Sequence, residues 1–220
     1  MKNKRKKLKI EDKTRIFEVI AVILTGLGKF VLMDLLNQRL VYIAMACLFW
    51  GGYIFYRSQK IRGIIDYWGL SRSNFNKTFF ELLPFAILCV GVFVFVGNRM
   101  GTNILNWSIV PILLLYPIWG IIQQFIIVGL LAGNLKDLQR VNIPEFLIVL
   151  ITAMVFAAVH YPHNLLIVGT FCLAIIYTIL YLRERNLVVM GIYHGWLGAF
   201  FFYTILQRDP WKEVFETLAF

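Results

Sequence analysis

The sequence predicts an all-α fold, a polytopic transmembrane helix bundle of about seven spans with amphipathic surface helices. Three observations predict it. Of 220 residues, 60% are hydrophobic and only 15% charged, whereas an ordinary soluble domain carries about 25% charged residues. The apolar residues gather in stretches near the ~20 residues that a helix needs to cross a bilayer. The charges gather between those stretches, with Lys2, Lys4, Arg5, Lys6, Lys7, Lys9, Lys13 and Arg15 all in the first fifteen positions.

The spans follow in order: Ile16–Leu36, Leu40–Tyr56, Phe79–Gly97, Leu105–Gly133, Pro144–His160, Asn164–Leu182 and Leu187–Leu206. The first holds Glu18, Lys29 and Asp34; Glu18 and Asp34 lie near its ends and are expected to snorkel, while Lys29 faces another helix. The fourth is long, and Pro117 is the place where a kink is expected. Ile61, Ile64, Ile65 and Trp68 recur at helical spacing, as do Trp211, Val214, Phe215 and Leu218. Both sets suit amphipathic helices on the membrane surface. The organisation expected is a basic cytoplasmic arm (1–15), N-terminal transmembrane helices (16–104), a core of helices (105–206) and an amphipathic tail (207–220).

The basic arm suggests nucleic acid at first sight. An apolar segment follows it at once, so no nucleic-acid partner is expected and the bilayer is the partner instead. A cleaved signal peptide is not expected, because Ile16–Leu36 is too long for a signal core. Cys47, Cys89 and Cys172 are odd in number and lack metal-knuckle spacing, which reads as buried free thiols.

Polar residues inside apolar segments mark function, because they are costly in lipid. Four stand out: Gln123 and Gln124 in the fourth span, His160 at the end of the fifth and His194 in the seventh. Each also has a plain structural explanation. The glutamines and His194 could simply hydrogen-bond across helices, and His163, after Pro162, reads as a solvated interface residue. If the fourth and fifth spans turn back near residue 142, Gln124 and His160 are each about eighteen residues from the turn, or about 27 Å at 1.5 Å per residue. They then stand level. His194, only eight residues into its span, fits less well unless the stretch Tyr161–Asn164 re-enters or the sixth span is short.

The order Gln123-Gln124 with Gly129, then Phe156-Ala-Ala-Val-His160, then His194-Gly-Trp-Leu-Gly198 resembles the CPBP family. These are membrane proteases related to type II CAAX prenyl endopeptidases and to bacteriocin-processing or self-immunity proteins. The resemblance covers roughly 105–200, and the Tyr181–Asn186 turn is also typical. The family's motifs are Glu-Glu-x-x-x-Arg, Phe-x-x-x-His and His-x-x-x-Asn/Asp. Here Gln123 and Gln124 replace both glutamates, Val128 the arginine, and Gly198 the final Asn or Asp.

The resemblance implies catalytic positions at Gln123, Gln124, His160 and His194, supported by Phe156, Gly129 and Gly198. It implies peptide-bond hydrolysis in or near a bacterial-type inner (cell) membrane, on a membrane-embedded peptide or protein substrate. Chemistry opposes the usual mechanism. In the family the first glutamate is taken to activate water, and an amide cannot accept that proton; loss of a general base costs about 10²–10⁴ in rate. The alternatives are an inactive pseudoprotease that binds a membrane partner or bacteriocin-like peptide, and a transporter or channel. No cofactor or metal is expected, because two histidines and two amides lack a third strong zinc ligand.

Orientation rests on lysine and arginine. With the N-terminus inside, the cytoplasmic segments hold eight in the arm, five in 57–78, two in 134–143 and two in 183–186. The opposite side holds four: Arg39, Arg99, Arg208 and Lys212. This is the positive-inside pattern. Reporter fusions after Gly97 and at Phe220 are therefore expected to read external. A cytoplasmic signal at Phe220 would overturn the span count.

Overall fold

The computed structural model describes residues 8–102 and 107–215, with side chains to residue 213. Arm residues Lys2 to Lys7, Leu105, the side chains of Val214 and Phe215, and Leu218 lie outside the described residues. The elements are α1 (Asp12–Lys29), continued as a π-helical turn to Leu35; α2 (Arg39–Lys60); α3 (Ile64–Trp68); α4 (Phe75–Arg99); α5 (Ile109–Gln124), continued by π-helical Phe125–Ala132 into α6 (Gly133–Asp137); α7 (Glu145–Ala158); α8 (Asn164–Glu184); α9 (Leu187–Thr204); and α10 (Pro210–Phe215).

Among the described residues, six helices are long and apolar enough to cross a membrane: 12–35, 39–60, 75–99, 109–137, 164–184 and 187–204. Large apolar side chains such as Leu24, Leu48, Phe80, Leu88, Leu114 and Phe146 point outward. That is the pattern of a bundle solvated by lipid, in which the helices satisfy their own backbone groups. The chain is a multi-pass membrane-helix bundle.

The remaining span is short. α7 has 14 residues, about 21 Å, against a hydrocarbon core of about 30 Å. It ends at Ala158, so the turn bearing His160 stops short of the far face. The shortening that brings His160 near His194 thus falls in the fifth segment and not in the sixth, since α8 keeps 21 residues.

α5 and α9 meet backbone to backbone. A Cβ at Gly120 would strike the carbonyl oxygen of Gly191. One at Gly191 would strike the backbone of Ile121, and one at Gly195 the backbone of Pro117 and Tyr116. Small residues that let membrane helices approach serve here as dispersion contacts, since lipid offers no hydrophobic drive between helices. α5 runs on through Pro117. That ring lacks an N–H, and its backbone nitrogen is what Gly195 packs against.

One face of the bundle is closed by a buried charge network. Arg15 is 2% and Glu18 4% exposed, so Glu18 does not snorkel. Its carboxylate accepts from Asn134 Nδ2 at 2.6 Å and from Tyr53 OH, and it pairs with Arg57 at 3.7 Å. Arg15 donates to Tyr67 OH at 2.6 Å and to Asn134 Oδ1 at 3.2 Å. Tyr67 OH and Arg185 both donate to Asp137 Oδ2, at 2.6 and 2.5 Å. Burial opposes the charge on Arg185, yet Tyr181, Asp137 and Tyr67 together hold its guanidinium above the ordinary arginine range.

α3 is part of this closure. Its Ile64 and Trp68 are 0% and 1% exposed, so its apolar face packs onto the bundle core. Gly69, at φ +80°, brings the loop against the α8–α9 turn, where a Cβ would strike the carbonyl oxygen of Arg185. Leu187 N–H donates to Gly69 O at 2.8 Å, and Asn186 caps α9 by accepting from Val189 N–H at 3.0 Å.

The opposite face carries α10. Asp209 accepts from Ser108 Oγ at 2.7 Å, Tyr203 OH at 2.7 Å and Trp211 N–H at 3.0 Å. Burial works against this carboxylate, but those hydrogen bonds outweigh it and hold its pKa below the usual range. Trp211 stacks edgewise on Trp107 at 6.0 Å. The thiols differ from expectation: Cys47 and Cys89 are half-buried, whereas Cys172 on α8 is exposed and lines the cavity described below.

The glycine contact makes a sharp prediction. Gly191→Ala and Gly195→Ala should each destabilise the protein by about 1–3 kcal/mol, the usual cost of overpacking. Gly28→Ala, with nothing within 4 Å of its Cβ, should leave thermal unfolding in detergent unchanged or slightly raised. Equal melting temperatures for all three variants would dismiss the close contact.

Candidate functional site

A cavity of about 640 Å³ lies among α1, α4, α5, α7, α8 and α9. Gln123, Phe156, His160, His194 and Gly198 all line it. The α5–α9 contact puts Gln123 three residues beyond Gly120 and His194 one before Gly195, so the two side chains meet at once. His194 Nε2 lies 2.9 Å from Gln123 Oε1. With the amide oxygen as acceptor, Nε2 carries the proton, and Nδ1 is left as a buried lone pair without a hydrogen bond.

His160 is set by its own turn. Its Nδ1 lies 2.7 Å from the carbonyl oxygen of Phe156. A carbonyl only accepts, so Nδ1 holds the proton and Nε2 holds the lone pair. Phe156, 1% exposed, lies next to both imidazoles. Its ring centroid is 5.0 Å from that of His160 and 5.6 Å from that of His194. The two imidazoles are thus no farther apart than the sum of those separations, and both pack against the same aromatic ring. α7 gives the Phe156–His160 spacing of one helical turn its meaning: both groups land on the same face.

The two glutamines part company. Gln123 faces the cavity. Gln124 does not line it; its side chain is 1% exposed, and Nε2 makes no hydrogen bond among the described residues. Adjacent residues on a helix point about 100° apart, so one of the pair had to turn away. Val128 is fully buried in the core. Gly129 also lies off the cavity, where a Cβ would meet Leu187 Cδ1 at 2.8 Å. It lets the π-helical segment pack on the start of α9.

Gly198 behaves differently from the packing glycines. The nearest atom to its Cβ position is Tyr116 Cδ2 at 4.0 Å, and it lines the cavity. A Cβ there would make one ordinary van der Waals contact and no clash.

Several residues of the cavity were not assigned to a site from the sequence. Lys29, Asp34, Arg39, His163, Arg208 and Glu213 ring its mouth on the α10 face. Lys29 Nζ donates to Asp34 Oδ2 at 2.6 Å and to Tyr161 O at 2.8 Å. Lys29 and Asp34 had a signal as charges inside the first span, and His163 as a histidine beside an apolar one; Arg39, Arg208 and Glu213 had none that pointed to a site. Asp34 and Glu213 are the carboxylates that line the cavity, and both are held in ion pairs. His163 is exposed, and burial and then the Arg208 charge press its pKa below the ordinary histidine value. Among the described residues, no group of three or more His, Cys, Asp or Glu is arranged to hold a metal.

Chemically, the cavity offers two imidazole lone pairs, one amide and an apolar surround. It offers hydrogen bonds and shape. Among the described residues, the carboxylates that line it are Asp34 and Glu213, each held in an ion pair.

Residues 105–200 match the family model described as Rce1-like, type II CAAX prenyl endopeptidase Rce1-like. That is the segment whose motifs carry the resemblance in the sequence. No curated protein and no solved structure matches the chain.

The Gln123–His194 bond can be probed directly. Gln123→Ala leaves a buried imidazole N–H unpaired, which costs about 1–3 kcal/mol. A clear fall in melting temperature is expected. Gly198→Ala, by contrast, should change it little, since its Cβ makes one ordinary van der Waals contact and no clash. A Gln123→Ala protein as stable as the wild type would mean that the bond is not formed.

Proposed function

From a core that carries the CAAX-protease-like family match, we propose a protein that binds an apolar or lipid-modified peptide in its membrane cavity and does not cleave it by glutamate-activated water. The observation that carries this is the 2.9 Å contact between Gln123 and His194 on the cavity wall. The family-type position that faces the histidines holds an amide, and an amide cannot serve as general base. Asp34 and Glu213 do not replace it, because each is held by cations at the mouth. The volume supports a ligand of useful size: about 640 Å³ falls within the roughly 300–1,000 Å³ of small-molecule sites. The N-terminus is placed in the cytoplasm on the lysine and arginine bias, which puts the cavity mouth on the external side of a cell membrane.

One specific feature favours a second reading. The free Nε2 lone pair of His160 could itself take a proton from water, with the Gln123 amide as a hydrogen-bond donor. One assay separates the two. Protein in nanodiscs is mixed with a fluorescent farnesylated CAAX peptide; polarisation follows binding and mass spectrometry follows the peptide bond. Saturable binding of an intact peptide is expected. Gly198→Leu, whose side chain enters the open cavity, should weaken binding about tenfold or more while the fold is kept. Gln123→Glu alone is not expected to start cleavage, because Val128 and Gly198 still depart from the family pattern. Wild-type cleavage at the rate of Glu-Glu relatives would refute the binding reading. If cleavage also survived His160→Ala, the site itself would be wrong.

A further inference from the structure

The mouth of the cavity holds a feature that binding of an apolar chain does not use. Three segments far apart in sequence meet there. Arg39 begins α2, Arg208 follows α9, and Glu213 sits in α10. Arg208 grips Glu213 with two donors, Nε to Oε1 at 2.5 Å and Nη2 to Oε2 at 2.7 Å. Arg39 Nη1 adds a third donor, to Oε2 at 2.5 Å. All three residues line the cavity.

Among the described residues, two guanidiniums share this one carboxylate. The nearby cation Lys29 is paired with Asp34, and His163 Nε2 approaches Arg208 Nη1 at 3.5 Å. The geometry of the rim is more specific than its charge. A parallel fork on a planar carboxylate is the arrangement arginine makes with carboxyl groups, and lysine cannot reproduce it.

We propose that Arg39 and Arg208 form a subsite for the terminal carboxylate of a bound peptide, which Glu213 fills until the ligand displaces it. This rests on the reading of the cavity as a peptide site. An extended peptide whose apolar part lies against Phe156 and Leu197 would carry its free carboxylate outward to this rim. Displacement of Glu213 removes one of the ties that hold α10 across the mouth. The exchange swaps one carboxylate for another, so neither arginine is left without a carboxylate partner, while Glu213 gives up its three bonds to them.

The test uses the full chain in nanodiscs of neutral lipid and of lipid with an anionic fraction. The probes are one lipid-modified peptide with a free C-terminus and the same peptide amidated. The free acid should bind about tenfold tighter, the scale of a charge-assisted hydrogen bond. In Arg39→Gln/Arg208→Gln the two peptides should bind alike. In Glu213→Gln the internal competitor is weakened, so the free acid should bind several-fold tighter than to wild type, and the amide should not change. This variant keeps both arginines and guards against a folding artefact in the double variant. Equal binding of acid and amide to the wild type would overturn the subsite but leave the cavity reading intact. Binding that ignores amidation and instead requires anionic lipid would assign the arginines to the membrane surface. No binding of either peptide would overturn both.

Discussion

With no side chains at Gly120, Gly191 and Gly195, the backbones of α5 and α9 touch. Everything polar in the cavity depends on that contact. It fixes the axial register of the two helices, because each missing Cβ leaves a notch that only one facing backbone atom fills. Gln123 and His194 sit one turn or less from those notches. Their hydrogen bond is a consequence of the register and in turn locks it, since slipping the helices would strand a buried imidazole. Phe156 then completes the set from α7, packing against two histidines that come from different parts of the chain.

The charge network on the other face does a related job by different physics. Glu18, Arg15, Arg57, Asp137 and Arg185 come from four separate parts of the chain. Removing one partner from such a cluster leaves a buried charge uncompensated, typically at 3–5 kcal/mol. The cluster is thus a poor source of stability and a strong source of specificity. It admits one arrangement of α1, α2, α3, α6 and the α8–α9 turn. That arrangement closes the cavity on this side, so that its polar mouth lies on the other, beneath α10.

Much of the site was legible in the sequence because its cost is local. An amide or imidazole inside twenty apolar residues announces itself whatever surrounds it. Gln123, His160 and His194 were legible in this way, and the Phe156–His160 spacing gave a shared helical face. Which glutamine faces inward was not legible, since a 100° rotation separates them and only the packing of Gly120 decides it. The rim was not legible either. Asp34, Arg39, Arg208 and Glu213 sit near span ends, where charge is ordinary. Glu18 misled for the same reason: its position near a helix end suits snorkelling, and only Tyr53, Arg57 and Asn134 turn it inward.

By itself the sequence determined the membrane-helix class, the order and approximate ends of the spans, and the residues that cannot face lipid. Those properties follow from transfer free energies summed over short segments, and they need no knowledge of neighbours. The tertiary structure alone decided that α7 is short enough to bring His160 level with His194, that Gly198 has room for a Cβ while Gly195 meets a backbone, and that two arginines share one glutamate above the cavity. Each of these depends on which surfaces meet. Between helices in lipid, that choice is made by fit at the scale of single methyl groups, which no hydropathy pattern encodes.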